Sequence, residues 1–423
     1  MIMSRAKARN SQDSELAVHN PRYVEISCSD HTRFRQWSQG ELYKAYDIML
    51  EAYRRRERGD GSEAAFTRVQ QSIGFNPNPE GLMADPVLRR HLDVASVATY
   101  DWMHSALQDG VLTREVTLLL QACAPHGVTY SMLEQYFSSA SWRFAKHRRV
   151  KGKHLYRVFN HHRNGCEPEK VRANCSEMLG LCGILRHFVE THLSDVAELR
   201  PQRLSFFAAC EIIDILLAAK RINCEITAVA SRLRNACSLH MQLHIRAYGT
   251  RGVLPKHHWL MDVPDQILRS GCVLDCFVLE RSHLRVKGIA ESVKNTTRYE
   301  GSVLSSLLNC IVQSSSSADG LKGRQCELPG YAHIRIADAM TVLTVNIAVG
   351  DVVMRGSVAG VAKACVSDSG VLGVVVEVFA IVARPSNHTM RCKLAGSSEI
   401  WPPQEIAEVL AWYVDDNCVV VLY

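Results

Sequence analysis

One group of thiol and imidazole side chains has a spacing that suits a metal ion. Cys237, His240 and His244 are separated by three and four residues, so a helix would place them on one face. Cysteine and histidine are common zinc ligands, and a group upstream offers the same residue types: His161, His162 and Cys166. No further ligand pair of standard spacing follows. We therefore expect packed thiols and surface histidines at these positions, and no zinc.

A basic segment between Trp142 and Arg157 has a composition that suits nucleic acid. No acidic residue interrupts the segment, and aromatic residues are interspersed with its cations. Such cations would contact phosphates and release counterions, while exposed aromatic rings would stack on bases. The alternative is a solvated loop, which most charged segments form. The cations assigned to DNA binding are Arg143, Lys146, Arg148, Arg149, Lys151 and Lys153, and the aromatic residues are Trp142, Phe144, Tyr156 and Phe159.

Three acidic side chains lie in segments that could contribute to a catalytic site. They are Asp101 in Asp101-Trp102-Met103-His104, Glu280 before Arg281, and Glu300 before Gly301 and Ser302. From its residue type alone, Asp101 is expected to cap a helix that begins near Ser105, with His104 packed beneath it. Glu280 is expected to be a surface carboxylate that is stabilised near a helix N-terminus.

These segments, with Pro255-Lys256-His257-His258-Trp259-Leu260 between them, resemble the C-terminal part of DDE transposases of the CACTA (En/Spm-like) group. In that family a D-x-M-H element lies well upstream of an "ER…K" helix and an "N…pEgS" segment. Here these correspond to Asp101–His104, Glu280–Lys287 and Asn295–Ser302. The resemblance covers residues 90–310 most clearly.

The resemblance implies an RNase H-like core whose carboxylates hold two Mg²⁺ or Mn²⁺ ions and cleave DNA phosphodiesters. It makes Glu280 the last catalytic carboxylate, with Glu300 as the second candidate. It makes Asp101 a metal ligand together with Glu280. Asp101 and His104 would orient the core or contact double-stranded DNA. The basic segment would bind the same DNA, as would two downstream cations, Arg285 and Lys287.

The chain departs from the family pattern in its first part. The family's first two aspartates lie on early strands, but only 100 residues precede Asp101 here. These residues contain no clear run of buried parallel strands, and Tyr23–Asp30 is a candidate remnant of one. We therefore expect a truncated or domesticated DNA-binding protein that is catalytically inactive as this chain. The alternatives are a helical protein-interaction scaffold and an unselected transposon relic.

Hydrophobic periodicity indicates which elements would position these residues. It predicts helices at Phe34–Arg58, Ser62–Ile73, Val111–Cys123, Met178–Leu193, Phe206–Lys220 and Cys224–Ala247. Valine-rich strands with turns at Gly350-Asp351 and Ser369-Gly370 predict a small barrel of five strands. We expect an α-rich α+β protein made of a disordered tail (1–20), a core remnant (21–100), a helical insertion (101–255), a C-terminal core element (256–313), a serine-rich linker (314–320) and a β-barrel (321–423).

The overall amino-acid composition limits the partners and the cellular location that we expect for this protein. The net charge of +6 and the pI near 8.6 are compatible with a nucleic-acid partner. The 15 cysteines are scattered, and no secretory signal is evident, so we expect reduced thiols in a nuclear protein, or in a cytoplasmic one if it is a relic. No apolar run reaches about 18 residues, so no membrane partner is expected. We also consider a homodimer.

Overall fold

The computed structural model describes most of the chain after residue 37. The described residues are 38–73, 76–97, 99–139, 142, 158–159, 170–220, 225–274, 276, 286–294, 297–315, 320–342, 345–406, 408–415 and 418–422. The candidate strand at Tyr23–Asp30 lies outside these residues. No helix in the described part is long and apolar enough to cross a membrane.

Two helices form a small unit at the start of the described chain. They are α1 (Gln39–Glu57) and α2 (Glu63–Ile73), which agree with the predicted helices. Ser38 begins α1 through a capping box, in which its hydroxyl accepts from the Glu41 amide while the Glu41 carboxylate accepts from the Ser38 amide. Two short helices follow, α3 (Leu88–His91) and α4 (Val94–Val97).

A helical body follows, and a single hydrophobic core holds it together. Its elements are a π-helical segment (Met103–Leu107), α5 (Val111–Cys123), a 3-10 turn (Ala124–His126), α6 (Tyr130–Ser139), α7 (Cys175–His192), a second 3-10 turn (Ala197–Leu199), α8 (Arg200–Ala219), α9 (Ile226–Tyr248), a third 3-10 turn (Thr250–Gly252) and α10 (Pro255–Ser270). Leu119, Phe188, Phe206 and Leu233 are among its fully buried residues. Helix α9 buries one face of the helix, whereas α8 is buried on most of its sides after Leu204.

The expected boundary between 101–255 and 256–313 does not separate two cores. Helix α10 begins at that boundary, and its residues Leu260, Val263 and Ile267 pack in the same core as Trp102. Tyr100 stacks on Trp259 with ring centroids 5.6 Å apart. The side chain of Gln266 also exchanges hydrogen bonds with the Tyr100 backbone at 2.7 and 3.0 Å. Residues 100–107 and α10 therefore belong to one body.

The partial RNase H-like core is not confirmed. Such a core needs a sheet, whereas the described residues before 320 form helices, turns and loops without a strand. After α10 these residues form a short helical segment at 286–292 and helix α11 (Tyr299–Ser315). Helix α11 extends into the predicted serine-rich linker, of which residues 316–319 lie outside the described chain.

The last part of the chain is an antiparallel β-structure. Its strands are β1 (Leu321–Leu328), β2 (Tyr331–Val342), β3 (Val345–Ala348), β4 (Val352–Arg355), β5 (Val358–Asp368), β6 (Val371–Ser386), β7 (Thr389–Trp401), β8 (Glu408–Asp415) and β9 (Cys418–Leu422). Pairing in the order β5-β4-β8-β9-β7-β6 and back to β5 closes a six-stranded barrel. Strand β2 pairs with the far half of β5, and β1 and β3 flank β2.

The barrel prediction is right in class and wrong in strand number, because six strands close it rather than five. The turns at Gly350 and Ser369-Gly370 are confirmed, since all three residues have positive φ values of 88°, 49° and 88°. Trp401 and Trp412 are buried in the cores of this β-structure. The valine-rich pattern missed strands such as β7, whose residues from 393 to 400 are exposed.

The barrel packs against the helical body through aromatic contacts. Tyr413 of β8 lies 4.6 Å from Trp142, measured between ring centroids, and 5.9 Å from His187 of α7. Leu422 of β9 packs in the core of the helical body. The interpretation of Trp142 as a base-stacking residue is therefore wrong. The same holds for Phe159, which is buried in the core of the helical body.

Candidate metal centre

A carboxylate and two imidazoles meet inside the helical body. Glu115 projects from α5, while His240 and His244 project from one face of α9, four residues apart. The Glu115 Oε2 atom lies 3.2 Å from His240 Nε2 and 2.6 Å from His244 Nδ1. Their side chains are 0%, 2% and 0% exposed, respectively. We call these three residues the buried centre.

The local sequence explains how this polar group comes to lie in an apolar interior. Glu115 lies between Leu112 and Leu119 on the buried face of α5. Helix α9 ends at Gly249, whose φ of 71° suits glycine, and the following turn covers His244. A Cβ atom at Gly252 would lie only 2.6 Å from His244 Nε2, so a side chain there would clash with the imidazole. The turn therefore seals the centre from water.

Two further side chains complete the polar interior around the buried centre. His257 of α10 is 3% exposed, and its ring is stacked at 4° on His240 with centroids 5.8 Å apart. Its Nδ1 accepts from the Leu254 amide at 2.9 Å. Burial, and then the neighbouring imidazoles, hold the pKa of His257 well below its ordinary value, so this ring is neutral. Burial and the Glu115 carboxylate raise the pKa of Tyr248, whose ring lies against His244.

The electrostatics of the buried centre favour a negative charge on Glu115. Burial alone would raise the pKa of this carboxyl, but the hydrogen bonds from His240 and His244 outweigh burial and lower it to about 2. The second oxygen, Oε1, is buried without a hydrogen-bond partner among the described residues. A buried carboxylate is costly unless a cation lies beside it. The buried centre could thus hold a metal ion, with Glu115, His240 and His244 as its ligands.

The buried centre corrects the prediction made from the Cys237, His240 and His244 spacing. The two histidines are buried rather than on the surface. Cys237 is the packed thiol that was expected, and its sulfur faces the Leu260 carbonyl at 3.7 Å. The residue that sequence reasoning missed is Glu115. The sequence feature that could have identified Glu115 is its position as a single acidic residue among the apolar positions of Val111–Cys123.

A second group lies nearer the surface, at Asp101. Its Oδ1 accepts from the amides of Met103 at 3.1 Å and Cys276 at 3.2 Å, and Oδ2 accepts from the His104 amide at 3.3 Å. Oδ2 also contacts His104 Nδ1. Asp101 therefore caps a helical segment, as its residue type predicts. The His104 side chain is 43% exposed, so the prediction that it packs beneath the helix is wrong.

The Asp101 group also has the composition of a cation site. The ligand atoms of Asp101, His104 and Cys276 lie within 4.8 Å of one another. Lys256 lies beside the group, and its Nζ donates to the carbonyl oxygens of His104 at 2.6 Å and Gln108 at 2.7 Å. Because the Lys256 charge sits next to His104, it opposes a cation at this group. The Asp101 group is thus less suited to a resident ion than the buried centre.

Of the remaining predicted site residues, the structure describes Glu300 and Lys287, and neither belongs to the buried centre or to the Asp101 group. Glu300 is exposed in the first turn of α11, and Lys287 is exposed with its Nζ 3.8 Å from Glu291. The others lie outside the described residues: Glu280, Arg285, Arg143, Lys146, Arg148, Arg149, Lys151 and Lys153.

Comparisons with known proteins gave no match. No protein-family model matches it, and neither do the curated proteins or the solved structures. The similarity to CACTA transposases therefore stays a prediction from sequence. The candidate function depends on the geometry of the two groups.

Proposed function

We propose that this protein binds one divalent transition-metal ion, most favourably zinc, at the buried centre. Two imidazoles and one carboxylate suit Zn²⁺, whereas Mg²⁺ prefers an octahedral shell of oxygen ligands with several waters. The expectation of Mg²⁺ or Mn²⁺ came from the transposase resemblance, and the expectation of no zinc came from the missing second ligand pair. The donor set of the buried centre favours zinc instead.

The distances are consistent with this ion. Metal–ligand bonds of about 2.0–2.2 Å in a tetrahedral site separate neighbouring ligand atoms by about 3.3 Å. The contact of Glu115 with His240 is already 3.2 Å, and the contact with His244 at 2.6 Å needs to open by less than an ångström. Since Oε1 of Glu115 is buried without a partner in the described chain, it is available as a further ligand atom.

The role that fits this centre is structural. Catalytic zinc keeps an open coordination position that a substrate can reach, whereas structural zinc is enclosed by protein. All three ligands are at most 2% exposed. The ion would join α5 to α9 across a sequence separation of 125 residues. Its contribution is therefore to the stability of the helical body.

The observation that carries the proposal is one buried carboxylate oxygen shared by two buried imidazole nitrogens. The test is the metal content of the full chain, purified without added metal and measured by plasma mass spectrometry. We expect one zinc per chain, and replacement by Co²⁺ should give the absorption bands of a tetrahedral site. Glu115→Gln and His240→Ala should lose the ion. A wild-type chain that stays metal-free after equilibration with Zn²⁺ would refute the proposal.

DNA binding of the transposase type is the second candidate function, and one contact favours it. The amide of Cys276 donates to Asp101 Oδ1, and Glu280 follows four residues later. We propose that Asp101 and Glu280 derive from a Mg²⁺ or Mn²⁺ site, and that this chain binds double-stranded DNA without cutting it.

Binding to a fluorescent duplex of about 30 base pairs, titrated across salt, tests this candidate. The affinity should fall steeply with salt and should weaken when Arg148, Arg149 and Lys151 are changed to glutamate. The absence of binding at low salt would favour the scaffold or relic alternatives. Incubation with DNA and Mn²⁺ should give no nicks, and nicking that Glu280→Ala abolishes would contradict the inactive assignment.

A further inference from the structure

Two buried cysteines, one on α7 and one on α8, face each other inside the helical body. The Sγ atoms of Cys182 and Cys210 lie 3.5 Å apart, within the distance of a sulfur hydrogen bond. Cys182 is 5% exposed and Cys210 is 0% exposed. Two helices thus present sulfur atoms to each other inside the core, close to the distance at which a bond could form.

A charged pair lies one helical turn beyond the two sulfurs. Arg186 follows Cys182 by four residues on α7, and Asp214 follows Cys210 by four residues on α8. Arg186 Nη2 donates to Asp214 Oδ2 at 2.7 Å. The Arg186 side chain is 5% exposed, and its Nε is buried without a hydrogen-bond partner among the described residues. A buried guanidinium with unused hydrogen-bonding capacity therefore adjoins the thiol pair.

The hydrogen bond and the charges around the two cysteines shift their pKa values in opposite directions. The hydrogen bond with Cys210 lowers the pKa of Cys182 against the effect of burial, and the Arg186 guanidinium lowers it further. Burial raises the pKa of Cys210, and the hydrogen bond with Cys182 raises it more. Because the thiolate is the nucleophile, Cys182 is the sulfur prepared to react and Cys210 is the one that keeps its proton.

We propose that Cys182 and Cys210 are a peroxide-sensitive dithiol that closes to an intramolecular disulfide between α7 and α8. Cys182 also has the larger exposed fraction, which places it first in the path of a small oxidant. Closure needs the sulfurs to move from 3.5 Å to about 2.05 Å, a shift that side-chain rotation can supply. This inference does not depend on metal or DNA binding.

The chemistry balances with hydrogen peroxide as the oxidant. The Cys182 thiolate attacks one peroxide oxygen, the O–O bond breaks, and the departing hydroxide takes a proton to become water. This step leaves Cys182 as a sulfenic acid. The Cys210 sulfur then attacks the Cys182 sulfur, the S–O bond breaks, and the hydroxide leaves with the Cys210 proton as a second water. Two thiols are oxidised, and one peroxide is reduced to two waters.

The test is peptide mapping of the full chain after brief treatment with dilute hydrogen peroxide. Reduced chain is oxidised, denatured in an alkylating agent and digested without reductant. We expect the Cys182 peptide to be linked to the Cys210 peptide with the loss of two hydrogens. Cys123 serves as the control, because it is also fully buried and burial raises its pKa to about 12. It should be recovered alkylated.

Two variants keep the test decisive. Arg186→Met should slow disulfide formation, because it removes the cation that lowers the pKa of Cys182 and so leaves less of the reactive thiolate. Cys210→Ser should instead leave Cys182 as a sulfenic acid that a dimedone probe traps in the folded chain. The proposal is overturned if wild-type Cys182 and Cys210 are both recovered alkylated at the rate of Cys123. It is equally overturned if Cys182 oxidises without becoming linked to Cys210.

Discussion

Replacing Glu115 by glutamine should remove the stability that the buried centre contributes. The substitution keeps the size of the side chain and removes its charge. A neutral amide can place its carbonyl oxygen where Oε2 lies and keep weaker hydrogen bonds with His240 and His244, but its NH2 group then takes the buried position of Oε1, which has no hydrogen-bond partner among the described residues. The variant therefore loses the charge-assisted hydrogen bonds and leaves buried donors without acceptors.

The size of the effect follows from the pKa of Glu115, which falls from an ordinary value of 4.5 to about 2 in the folded chain. A difference of one in pKa corresponds to about 1.4 kcal/mol, so the folded state gains roughly 3 kcal/mol from this charge. Because the folded pKa is the lower one, the gain is complete above pH 4.5 and is lost as the pH falls towards 2. Zinc at a hundredfold excess over its Kd would add about 2.7 kcal/mol.

Thermal unfolding at pH 7 measures both contributions. In the presence of a chelator, Glu115→Gln should unfold about 6–12 °C below the wild type, at 2–4 °C per kcal/mol. Addition of Zn²⁺ should raise the Tm of the wild type and leave that of the variant unchanged. Glu177→Gln is the matched control, because Glu177 is also a buried glutamate but caps α7 by accepting from the Asn174 amide. Glutamine serves in the same capping box, so the control should keep its response to zinc.

Two results would refute this reasoning. If Glu115→Gln is as stable as the wild type with chelator present, Glu115 does not carry a stabilising charge. If Zn²⁺ and the chelator leave the wild-type Tm unchanged while Glu115→Gln is destabilised, the buried centre is a hydrogen-bonded group without an ion. The second result would remove the metal proposal and leave the electrostatic argument intact.

Three further predictions concern other parts of the helical body. Gly252→Ala should lower the free energy of unfolding by about 1–3 kcal/mol, because its Cβ would lie 2.6 Å from His244 Nε2. Gly183→Ala is the control: a Cβ there, in the middle of α7, meets no atom within 4 Å, so this variant should be neutral or stabilising in the same thermal melts. Burial, and then the charge of a neighbouring histidine, lower the pKa of His187 to about 4. The free energy of unfolding should therefore keep its full value above pH 6.5 and fall by up to about 3 kcal/mol as the pH approaches 4. His187→Phe should abolish this dependence in thermal melts measured across pH. The α7–α8 disulfide closes 28 residues and should raise the free energy of unfolding by about 3–4 kcal/mol, as measured by urea titration of oxidised and reduced chain.

Several helices were predictable because their apolar residues recur at helical spacing. The predicted helix at Val111–Cys123 matches α5 at both ends. The prediction for α8 began late, at Phe206, because its first turn is the polar stretch Arg200-Pro201-Gln202-Arg203. Proline in the first turn is a start signal that outweighs the missing apolar residues. The closure of the barrel could not be read from local patterns, since it depends on β5 pairing with both β4 and β6.

The sequence analysis identified two of the three residues of the buried centre, His240 and His244. The spacing of His240 and His244 correctly indicates one face of a helix, but spacing cannot show what that face meets. Glu115 is 125 residues away from His240, and only the packing of α5 on α9 brings the two together. The spacing also drew attention to Cys237, whose sulfur is directed to a carbonyl of α10. The DNA-binding residues stay predictions, because the basic segment lies outside the described chain.

Strand β9 connects two interiors that would otherwise be independent. It is hydrogen-bonded to β7 and β8 within the barrel, while its Leu422 packs in the core of the helical body. Loss of either core therefore exposes surface in the other, so the two should unfold in a single cooperative transition. The β9 amides would then exchange with deuterated solvent only when the whole molecule opens. We therefore expect no partly folded form in which the barrel persists after the helices are lost.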